Sequence, residues 1–304
     1  NIISPIQIGS ASNWKSLTSD YGSSFFIKED GTLWAFGNNN NGQLGLGNNI
    51  NVNIPTQVGL ESNWLSISSG FEHTMAIKTD GTLWGWGKND FGQLGGPPYN
   101  TSINTPMQIG TENNWKTIES AANRNFALKN DGTLWFWGDN LFPNPAIIIP
   151  TQIGSDTNWK VISSSYYHLT ALKTDNTLWS MGFNFYGQCG VGTSNDIIVA
   201  PIQIGTSNWK SISSAYYHTM GIKSDGTLWI WGRNVLYTYG NGTDTPSFVP
   251  LQIGSNIDWE FVAGGETNSY AIKTNGILYS TGDNNVGQIG DGTTTDKLIF
   301  TPIS

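Results

Sequence analysis

Three histidines occupy one position of a repeated segment, and equivalent histidines are the first residues to weigh for metal chemistry. They are His73, His168 and His218. A metal site needs its ligand atoms within about 2 Å of one ion, and residues in neighbouring repeats need not converge. The favoured interpretation is that each histidine hydrogen-bonds backbone groups within its own repeat. We therefore predict no metal site and no cofactor.

The single cysteine and two carboxylates are the other candidates for chemistry. Cys189 stands where other repeats have leucine in the segment Gly-Gln-Leu-Gly. A catalytic thiol needs a lowered pKa and a partner base; the sequence supports neither, so we expect a buried apolar role. Asp291 and Asp296 could hold calcium weakly, although their segment lacks the ligand set of a known calcium loop. No His-Glu-x-x-His, Gly-x-Ser-x-Gly or phosphate-loop pattern occurs, and we predict that the chain is not an enzyme.

Aromatic residues recur at the loop position two residues before the histidine position. Its occupants are Tyr21, Phe71, Ala122, Tyr166, Tyr216 and Glu266, and Tyr167 and Tyr217 adjoin two of them. A second set, Phe91, Tyr186 and the stretch 236–239, lies near the Gly-Gln-Leu-Gly segment. Aromatic side chains on rigid loops commonly supply binding hot spots. The alternative is that they pack on neighbouring loops and stabilise the fold. The predicted partner-binding residues are Tyr21, Phe71, Phe91, Tyr166, Tyr167, Tyr186, Tyr216 and Tyr217.

The elements that position these residues belong to six copies of one repeat. Asn/Asp-Trp pairs end at Trp14, Trp64, Trp115, Trp159, Trp209 and Trp259, with spacings of 50, 51, 44, 50 and 50 residues. A Pro-x-Gln-Ile/Val-Gly segment starts at Pro5, Pro55, Pro106, Pro150, Pro201 and Pro250, and a clipped version reappears at Pro302. Self-similarity at this period is typical of repeat folds and propellers.

Each repeat is predicted to form four strands, and the turn between the second and third is the firmest local prediction. Asp-Gly occupies this turn at residues 80–81, for example, and equivalent pairs fill it in the other repeats. Such pairs tolerate positive φ at both central positions, as a two-residue type I′ turn requires. The tryptophans that follow the turn, such as Trp84 and Trp86, share one face of the strand, and we expect them to pack in the core.

The repeat predicts an all-β chain, a β-propeller of six four-stranded blades in a single domain over residues 1–304. Radial packing covers both faces of each small sheet and leaves only short edges. The units are 5–54, 55–105, 106–149, 150–200, 201–249 and 250–304. The ends supply seven versions of the fourth strand for six of the others, so a seven-bladed ring or a fragment is the alternative.

The run G-x-x-H-T-x-A-I-K-x-D-G-T-L-W-x-W-G-x-N-x-x-G-Q-L-G, clearest over residues 70–95, is similar to the repeat of the regulator of chromosome condensation family. The resemblance implies a propeller, typically seven-bladed, with the aromatic loops on one face of the disc. Functions vary within the family: a nucleotide-exchange factor for the small GTPase Ran that also binds chromatin, a plant ultraviolet-B receptor, and secreted bacterial inhibitors of β-lactamases. The receptor's loop tryptophan is replaced here by Phe71, so light sensing is not expected. The Asn- and Ile-rich style resembles a bacterial member.

Composition narrows the function further. The net charge is −8, and the lysines are predicted to be spread among the repeats, which opposes nucleic-acid binding. No apolar run is long enough to insert into a membrane.

Because the chain begins at Asn1, we expect a processed or excised form, and an extracellular or cell-surface location, with the cytoplasm as alternative. The predicted function is a non-catalytic protein-binding propeller; an exchange-factor-like regulator and a carbohydrate-binding propeller are the alternatives. The sequence does not fix the oligomeric state.

Overall fold

The computed structural model describes residues 2–140 and 145–303, and these residues form 23 β-strands. The all-β fold class is therefore confirmed. Neighbouring strands pair antiparallel in the order in which they follow each other along the chain. Within the described ranges there is no helix of the length and apolar character needed to cross a membrane.

The chain divides into two compact units, of which the N-terminal unit spans residues 9–162. It holds three four-stranded sheets, named blades 1 to 3. The strands of blade 1 are β1 (Trp14–Asp20), β2 (Ser23–Lys28), β3 (Leu33–Gly37) and β4 (Val52–Gln57). Those of blade 2 are β5 (Trp64–Ser69), β6 (His73–Lys78), β7 (Leu83–Lys88) and β8 (Ser102–Gln108). Those of blade 3 are β9 (Trp115–Ala121), β10 (Arg124–Lys129), β11 (Leu134–Gly138) and β12 (Ile147–Ile153).

The C-terminal unit spans residues 163–304 and includes residues 1–8. Blade 4 begins with β13 (Trp159–Ser164), in which the unit boundary falls, and continues with β14 (His168–Lys173), β15 (Thr177–Phe183) and β16 (Ile197–Ser214). The further strands of blade 5 are β17 (His218–Lys223), β18 (Leu228–Gly232) and β19 (Ser247–Gln252). Those of blade 6 are β20 (Trp259–Gly264), β21 (Asn268–Lys273), β22 (Leu278–Gly282) and β23 (Lys297–Pro302). Strand β16 is the fourth strand of blade 4 and continues as the first strand of blade 5. The described residues thus form six four-stranded blades, as the repeat predicts.

The long strand β16 has a simple cause in the sequence. Three residues lie between Gly205 and Trp209, whereas four lie between Gly59 and Trp64 and between the equivalent pairs in the other repeats. The shorter link keeps the left-handed glycine, since Gly205 has a φ of 58° and Gly59 one of 63°. Its last residue, Asn208, still pairs with Thr177 of β15 after a shift of register, so that paired residues continue from one blade into the next.

The turn between the second and third strands differs from the prediction. The Lys78 N–H donates to the Thr82 carbonyl at 3.1 Å, so that three residues, Thr79 to Gly81, form the loop. Only Gly81 has a positive φ, of 79°, and its N–H donates to the Lys78 carbonyl at 2.9 Å. This is a type I turn followed by a left-handed glycine, not a type I′ turn. Asp80 favours it because its Oδ1 accepts hydrogen bonds from the backbone N–H and hydroxyl of Thr82.

Within each unit, successive blades bury apolar faces against each other. In the N-terminal unit, Phe25 and Ile27 of β2 pack with Trp64, Ala76 and Trp86 of blade 2. All five side chains are at most 1% exposed. Because successive side chains of a strand alternate between faces, one sheet contributes to two such interfaces.

The repeat tryptophans divide into two sets. Trp86, Trp137 and Trp231 are fully buried, which confirms the predicted core role for this set. The set that includes Trp84 is half-buried. The Lys78 ammonium lies 3.5 Å from the centre of the Trp84 ring, and the Trp84 indole N–H donates to the Thr82 hydroxyl at 2.8 Å. The hairpin lysines thus stack on tryptophan faces, where a cation is attracted by the ring.

The C-terminal copy of the Pro-x-Gln-Ile/Val-Gly segment lies in a different register from the predicted one. Tyr279 pairs with Pro302, as Trp229 pairs with Gln252 in blade 5. Pro302 therefore occupies the glutamine position of the segment, and Phe300 occupies the proline position. The sequence prediction aligned Pro302 with the prolines of the other copies, which is two residues away from the observed register. A shift of two residues keeps every side chain on the same face of the strand, so the alternation of apolar residues does not reveal it.

The N-terminal copy, residues 5–9, forms no β-strand. Its neighbouring residue Ile3 lies beside blade 6 within the C-terminal unit, where the Gly292 N–H donates to the Ile3 carbonyl at 2.8 Å. Residues 5–9 therefore have the sequence pattern of a fourth strand but do not pair with a third strand.

Candidate binding surface

The loops between the first and second strands of blades 4 and 5 are tight hairpins that present tyrosines at their tips. In blade 4 the Ser165 N–H donates to the His168 carbonyl at 3.0 Å, which leaves Tyr166 and Tyr167 as the two tip residues. In blade 5 the Ala215 N–H donates to the His218 carbonyl at 2.9 Å. Its tip residues are Tyr216 and Tyr217, in the same positions.

These four tip residues pack against each other to form the tyrosine cluster: Tyr166, Tyr167, Tyr216 and Tyr217. The Tyr166 and Tyr216 rings stack with centroids 5.0 Å apart, and Tyr167 and Tyr217 stack at 5.2 Å. Within each tip the two rings meet edge to face at 4.4 and 4.5 Å. All four side chains are half-buried. Stacked and edge-to-face rings at such distances stabilise each other, so each tip fixes the orientation of its neighbour.

Residues from the third strands and the loops after them extend the cluster. Tyr186 meets Tyr217 edge to face at 5.2 Å, and the Arg233 guanidinium lies 4.9 Å from the centres of both rings. Phe183 contacts Tyr167 and stacks on Phe185. A shallow cleft of about 210 Å³ opens here, lined by Tyr167, Phe185, Tyr186, Gln188 and Tyr217. The sequence prediction missed Phe183, Phe185 and Arg233; the dense aromatic run of residues 183–186 was the available signal.

The cluster carries neutral phenols. Burial, and next the hydrogen bond to Tyr217, raises the pKa of the Tyr167 phenol well above its usual range. Burial likewise raises the pKa of Tyr216. The phenol groups of Tyr167 and Tyr216 therefore remain hydrogen-bond donors and acceptors at neutral pH, beside the fixed positive charge of Arg233. The surface can offer apolar rings, neutral hydroxyls and one cation to a ligand.

The histidines anchor these loops, although not through the predicted bonds. His168 Nε2 lies 2.6 Å from the Thr219 hydroxyl, and His218 Nε2 lies 2.9 Å from the Ser269 hydroxyl. In the N-terminal unit, His73 Nε2 lies 2.9 Å from Asn125 Oδ1. These Nε2 partners are side chains of the following blade, and the Nδ1 of His168 lies 3.0 Å from the Ser165 hydroxyl of its own repeat. No histidine ring bonds to the backbone among these contacts, so the prediction of backbone bonds within one repeat is wrong. The reason is that the second strand places this position at the interface between blades.

The protonation state of the histidines follows from their surroundings. The Thr219 hydroxyl donates to the Gln188 carbonyl at 2.8 Å, so it accepts from the N–H at His168 Nε2. Burial lowers the pKa of His168 to about 3 and those of His73 and His218 to about 4. All three are therefore neutral at pH 7. Through these side-chain hydrogen bonds they tie one blade to the next.

The N-terminal unit carries a smaller aromatic pair at the same loop position. Tyr21 and Phe71 lie with centroids 5.1 Å apart, and Tyr21 is 62% exposed. Ala122 is buried, and its carbonyl accepts from the Phe71 N–H at 2.9 Å. Phe91 is exposed and stacks on no other ring of residues 2–140 and 145–303. The predicted set is thus split between a cluster, a pair and a single side chain.

The sequence patterns of one known repeat family match most of the residues that form this surface. The regulator of chromosome condensation (RCC1) repeat matches residues 30–77, 80–128 and 175–222, and a second pattern of the same description matches 64–93, 159–188 and 209–242. Together they span more than half of the chain. The chain belongs to the RCC1 repeat family.

Solved structures place these RCC1 repeats in a known fold. Human WBSCR16 is similar over 99% of this chain and 84% of its own, with a TM-score of 0.88 and 18% identity. Yeast RCC1 (Prp20), in a complex with Kap60, is similar over 96% of this chain and 75% of its own, with a TM-score of 0.83 and 22% identity. Prp20p from Saccharomyces cerevisiae, studied for its binding to Gsp1p and histones, gives 0.83 and 22% over 96% and 77%. The β-propeller fold is confirmed. No curated protein sequence matches the chain.

Within the RCC1 repeats, the remaining candidates for chemistry have structural partners. Cys189 is fully buried, and burial raises the pKa of its thiol to about 12. Tyr239, from the altered stretch 236–239, fills the same core position in blade 5, and its hydroxyl donates to the Gly232 carbonyl. Asp291 pairs with Lys297. No group of three histidine, cysteine, aspartate or glutamate side chains that could hold a metal occurs in residues 2–140 and 145–303.

Proposed function

We propose that this RCC1-repeat propeller is a non-catalytic protein-binding module, and that its partner docks on the tyrosine cluster. The observation that carries the proposal is the assembly of four tyrosines with Tyr186 and Arg233 on adjoining loops. Tyrosine and arginine are the residue types that most often dominate binding energy at protein interfaces. Tyrosine offers a large contact area with few rotatable bonds.

The rigid support of the loops favours binding over a purely structural role. The tip backbones are closed by hydrogen bonds of 3.0 and 2.9 Å, and His168 and His218 below them are buried and bonded to the next blade. A surface whose side chains are already ordered loses less entropy when a partner docks. Structural support alone would not need the cleft beside Tyr186, which leaves ring edges and hydroxyls open to solvent.

The chemistry of the cluster also suggests what the partner presents. Arg233 supplies one positive charge and the rings supply apolar area, while the chain as a whole is acidic. We expect a partner segment with an apolar side chain for the cleft and a hydrogen-bonding or acidic group within reach of Arg233. A saccharide stacked on the rings is the alternative occupant, and export to the cell surface is the setting that we propose for either.

Removal of two stacked rings gives the direct test. The double variant Tyr166→Ala and Tyr216→Ala should weaken partner binding about 30-fold or more, the equivalent of ~2 kcal/mol, if both rings are hot spots. Its unfolding midpoint should change little, because both side chains are only half-buried. Binding is measured by surface capture of extracts on immobilised wild-type and variant protein, followed by titration of the captured species.

Phe261→Ala is the matched control, because Phe261 is 60% exposed in the same unit and lies outside the cluster. It should bind as the wild type does. Site-specific crosslinking adds a second readout: a photoreactive phenylalanine analogue at Tyr186 should trap the partner, and the same analogue at Phe261 should not. Equal affinity of the folded double variant, or capture of a glycan in place of a protein, would refute the proposal.

A further inference from the structure

The lysine at the end of the second strand is neutralised by a glutamate in blades 2 and 3. Lys78 Nζ lies 2.7 Å from Glu61 Oε1, and Lys129 Nζ lies 2.7 Å from Glu112 Oε1. Each glutamate stands three residues before the first tryptophan of its blade. The two lysines are 4% and 3% exposed, so little of either side chain faces solvent.

Blade 5 has no carboxylate in this position. Thr206 stands three residues before Trp209, in the link that is one residue shorter than its equivalents. Lys223 forms no ion pair with any residue that the structure describes, and its side chain is half-exposed. The Asp225 carboxylate acts on it only at longer range and is bonded to Thr227 in the turn. Burial lowers the pKa of Lys223, as expected for an ammonium without a close counter-charge.

A cleft of about 350 Å³ opens beside Lys223, within the C-terminal unit. Its volume is in the range of small-molecule pockets, roughly 300–1,000 Å³. Its walls include the aliphatic side chains of Ile202, Val249 and Pro250. An unpaired lysine alone would not indicate a site, because Lys28 of blade 1 also has no ion pair in the described part of the chain. At Lys223 the free charge and an apolar cleft occur together.

Two tryptophan rings hold the ammonium in place. Lys223 Nζ lies 3.5 Å from the centre of the Trp229 ring and 5.5 Å from that of Trp209, and ring faces attract a cation. An ammonium has three donors, which a carboxylate satisfies with charge-assisted hydrogen bonds. Ser207 lines the same cleft, and its hydroxyl has no hydrogen-bond partner among the described residues. It can therefore donate to the second oxygen of a carboxylate.

We propose that this cleft binds a small aliphatic carboxylate. The carboxylate pairs with Lys223 and takes the place of the glutamate that blades 2 and 3 supply from their own chain. The aliphatic part lies against Ile202, Val249 and Pro250. One cation among aliphatic walls favours a single negative charge over a phosphate, whose further charge would be left unpaired beside apolar groups.

The cleft is remote from the tyrosine cluster. Tyr217 lies at the tip before β17 and Lys223 lies at the other end of that strand, so the two sites are about 20 Å apart along it. Binding at one site can be measured while the other is empty. Failure of this proposal is therefore distinguishable from failure of the proposed function.

Titration calorimetry of the full chain with 4-methylpentanoate tests the proposal, and the neutral 4-methylpentanamide is the matched ligand. The acid should bind, and the amide should bind about 10-fold more weakly or less, because hydrogen bonds to charged groups are the stronger ones. Lys223→Gln should weaken binding of the acid by a similar factor. In amide proton–nitrogen correlation spectra, the acid should shift the signals of Gly205 and Ser207 and leave those of Tyr216 and Tyr217 in place.

Thr206→Glu restores a carboxylate of the chain itself and should abolish binding of the acid, because the new side chain occupies Lys223 as Glu61 occupies Lys78. Thr206 is exposed, so this variant should fold even if Lys223→Gln does not. Lys78→Gln is the matched control and should bind the acid as the wild type does, because that ammonium is already paired.

Four outcomes would overturn the proposal. They are no binding of the acid, equal binding of acid and amide, undiminished binding by Thr206→Glu, and binding of a capped leucine-glutamate-leucine peptide in place of the free acid. The last would assign the cleft to an acidic side chain of a protein.

Discussion

Lowering the pH from 7 to 5 should cost this protein several kcal/mol of unfolding free energy. The pKa values of His73, His168 and His218 lie at about 4, 3 and 4 in the folded chain, below the ordinary value near 6.5. Between pH 6.5 and pH 4 the unfolded chain therefore binds protons that the folded chain excludes. Each histidine should contribute a loss of roughly 2 kcal/mol at pH 5. The loss is complete only below the folded pKa values.

One carboxyl group acts in the opposite direction. Burial raises the pKa of Asp20 to about 6, so the folded chain holds this proton more tightly than the unfolded chain does, and acid stabilises it by about 1 kcal/mol over the same interval. The aspartates of the type I turns, with lowered pKa values, affect stability only at more acidic pH. The net effect from pH 7 to pH 5 remains a clear loss.

Denaturant unfolding at a series of pH values measures this slope. His218→Asn is the informative variant because blade 6 naturally carries Asn268 at the same position. Between pH 6.5 and pH 5, the change of the variant's unfolding free energy with pH should correspond to the uptake of about one proton fewer on unfolding than in the wild type. An unfolding free energy that is constant over this range would mean that the histidines ionise in the folded protein.

Replacement of Trp86 by alanine should destabilise the protein by ~3–5 kcal/mol, the usual cost of removing a large buried aromatic ring. Trp86 is fully buried between blades 1 and 2 and meets Trp64 at 5.8 Å. Its indole N–H donates to the Gln43 carbonyl at 2.7 Å. The variant therefore loses packing on both blades and leaves a buried carbonyl with one donor fewer.

Trp84→Ala is the comparison within the same strand. Its ring is half-buried and lies under Lys78, so the loss should be smaller than for Trp86, although the stacked cation and the Thr82 bond are removed. Unfolding by guanidinium, monitored by circular dichroism, ranks the two. A Trp86 variant that unfolds at the same denaturant concentration as the wild type would show that this interface is not part of the core.

The sequence pattern predicted the repeated elements well because each blade solves the same packing problem. The positions of the hairpin and of the buried tryptophans follow from period and alternation alone. The type of turn does not, because Asp-Gly fits both a type I′ turn and a type I turn with a following glycine. The choice depends on a third residue, such as Thr82, whose hydroxyl bonds to the aspartate.

The candidate site was predicted in part, since neighbours in space come from different repeats. Tyr166, Tyr167, Tyr216 and Tyr217 were found because they occupy two adjacent positions in successive repeats. Arg233 was missed, because its contact with Tyr217 depends on where the third strand ends rather than on any motif. The histidine partners were missed for the same reason: Thr219 and Ser269 lie one repeat further along the chain.

Strand β16, which belongs to two blades, has a consequence for the way in which the molecule opens. Blades 4 and 5 share its backbone, so neither can lose its edge without disturbing the ladder of the other. The two should behave as one cooperative foldon in native-state exchange. Blades 5 and 6 belong to separate sheets and share no strand. Under a pulling force applied along the chain, blades 4 and 5 should rupture in a single step, at an extension twice that of one repeat.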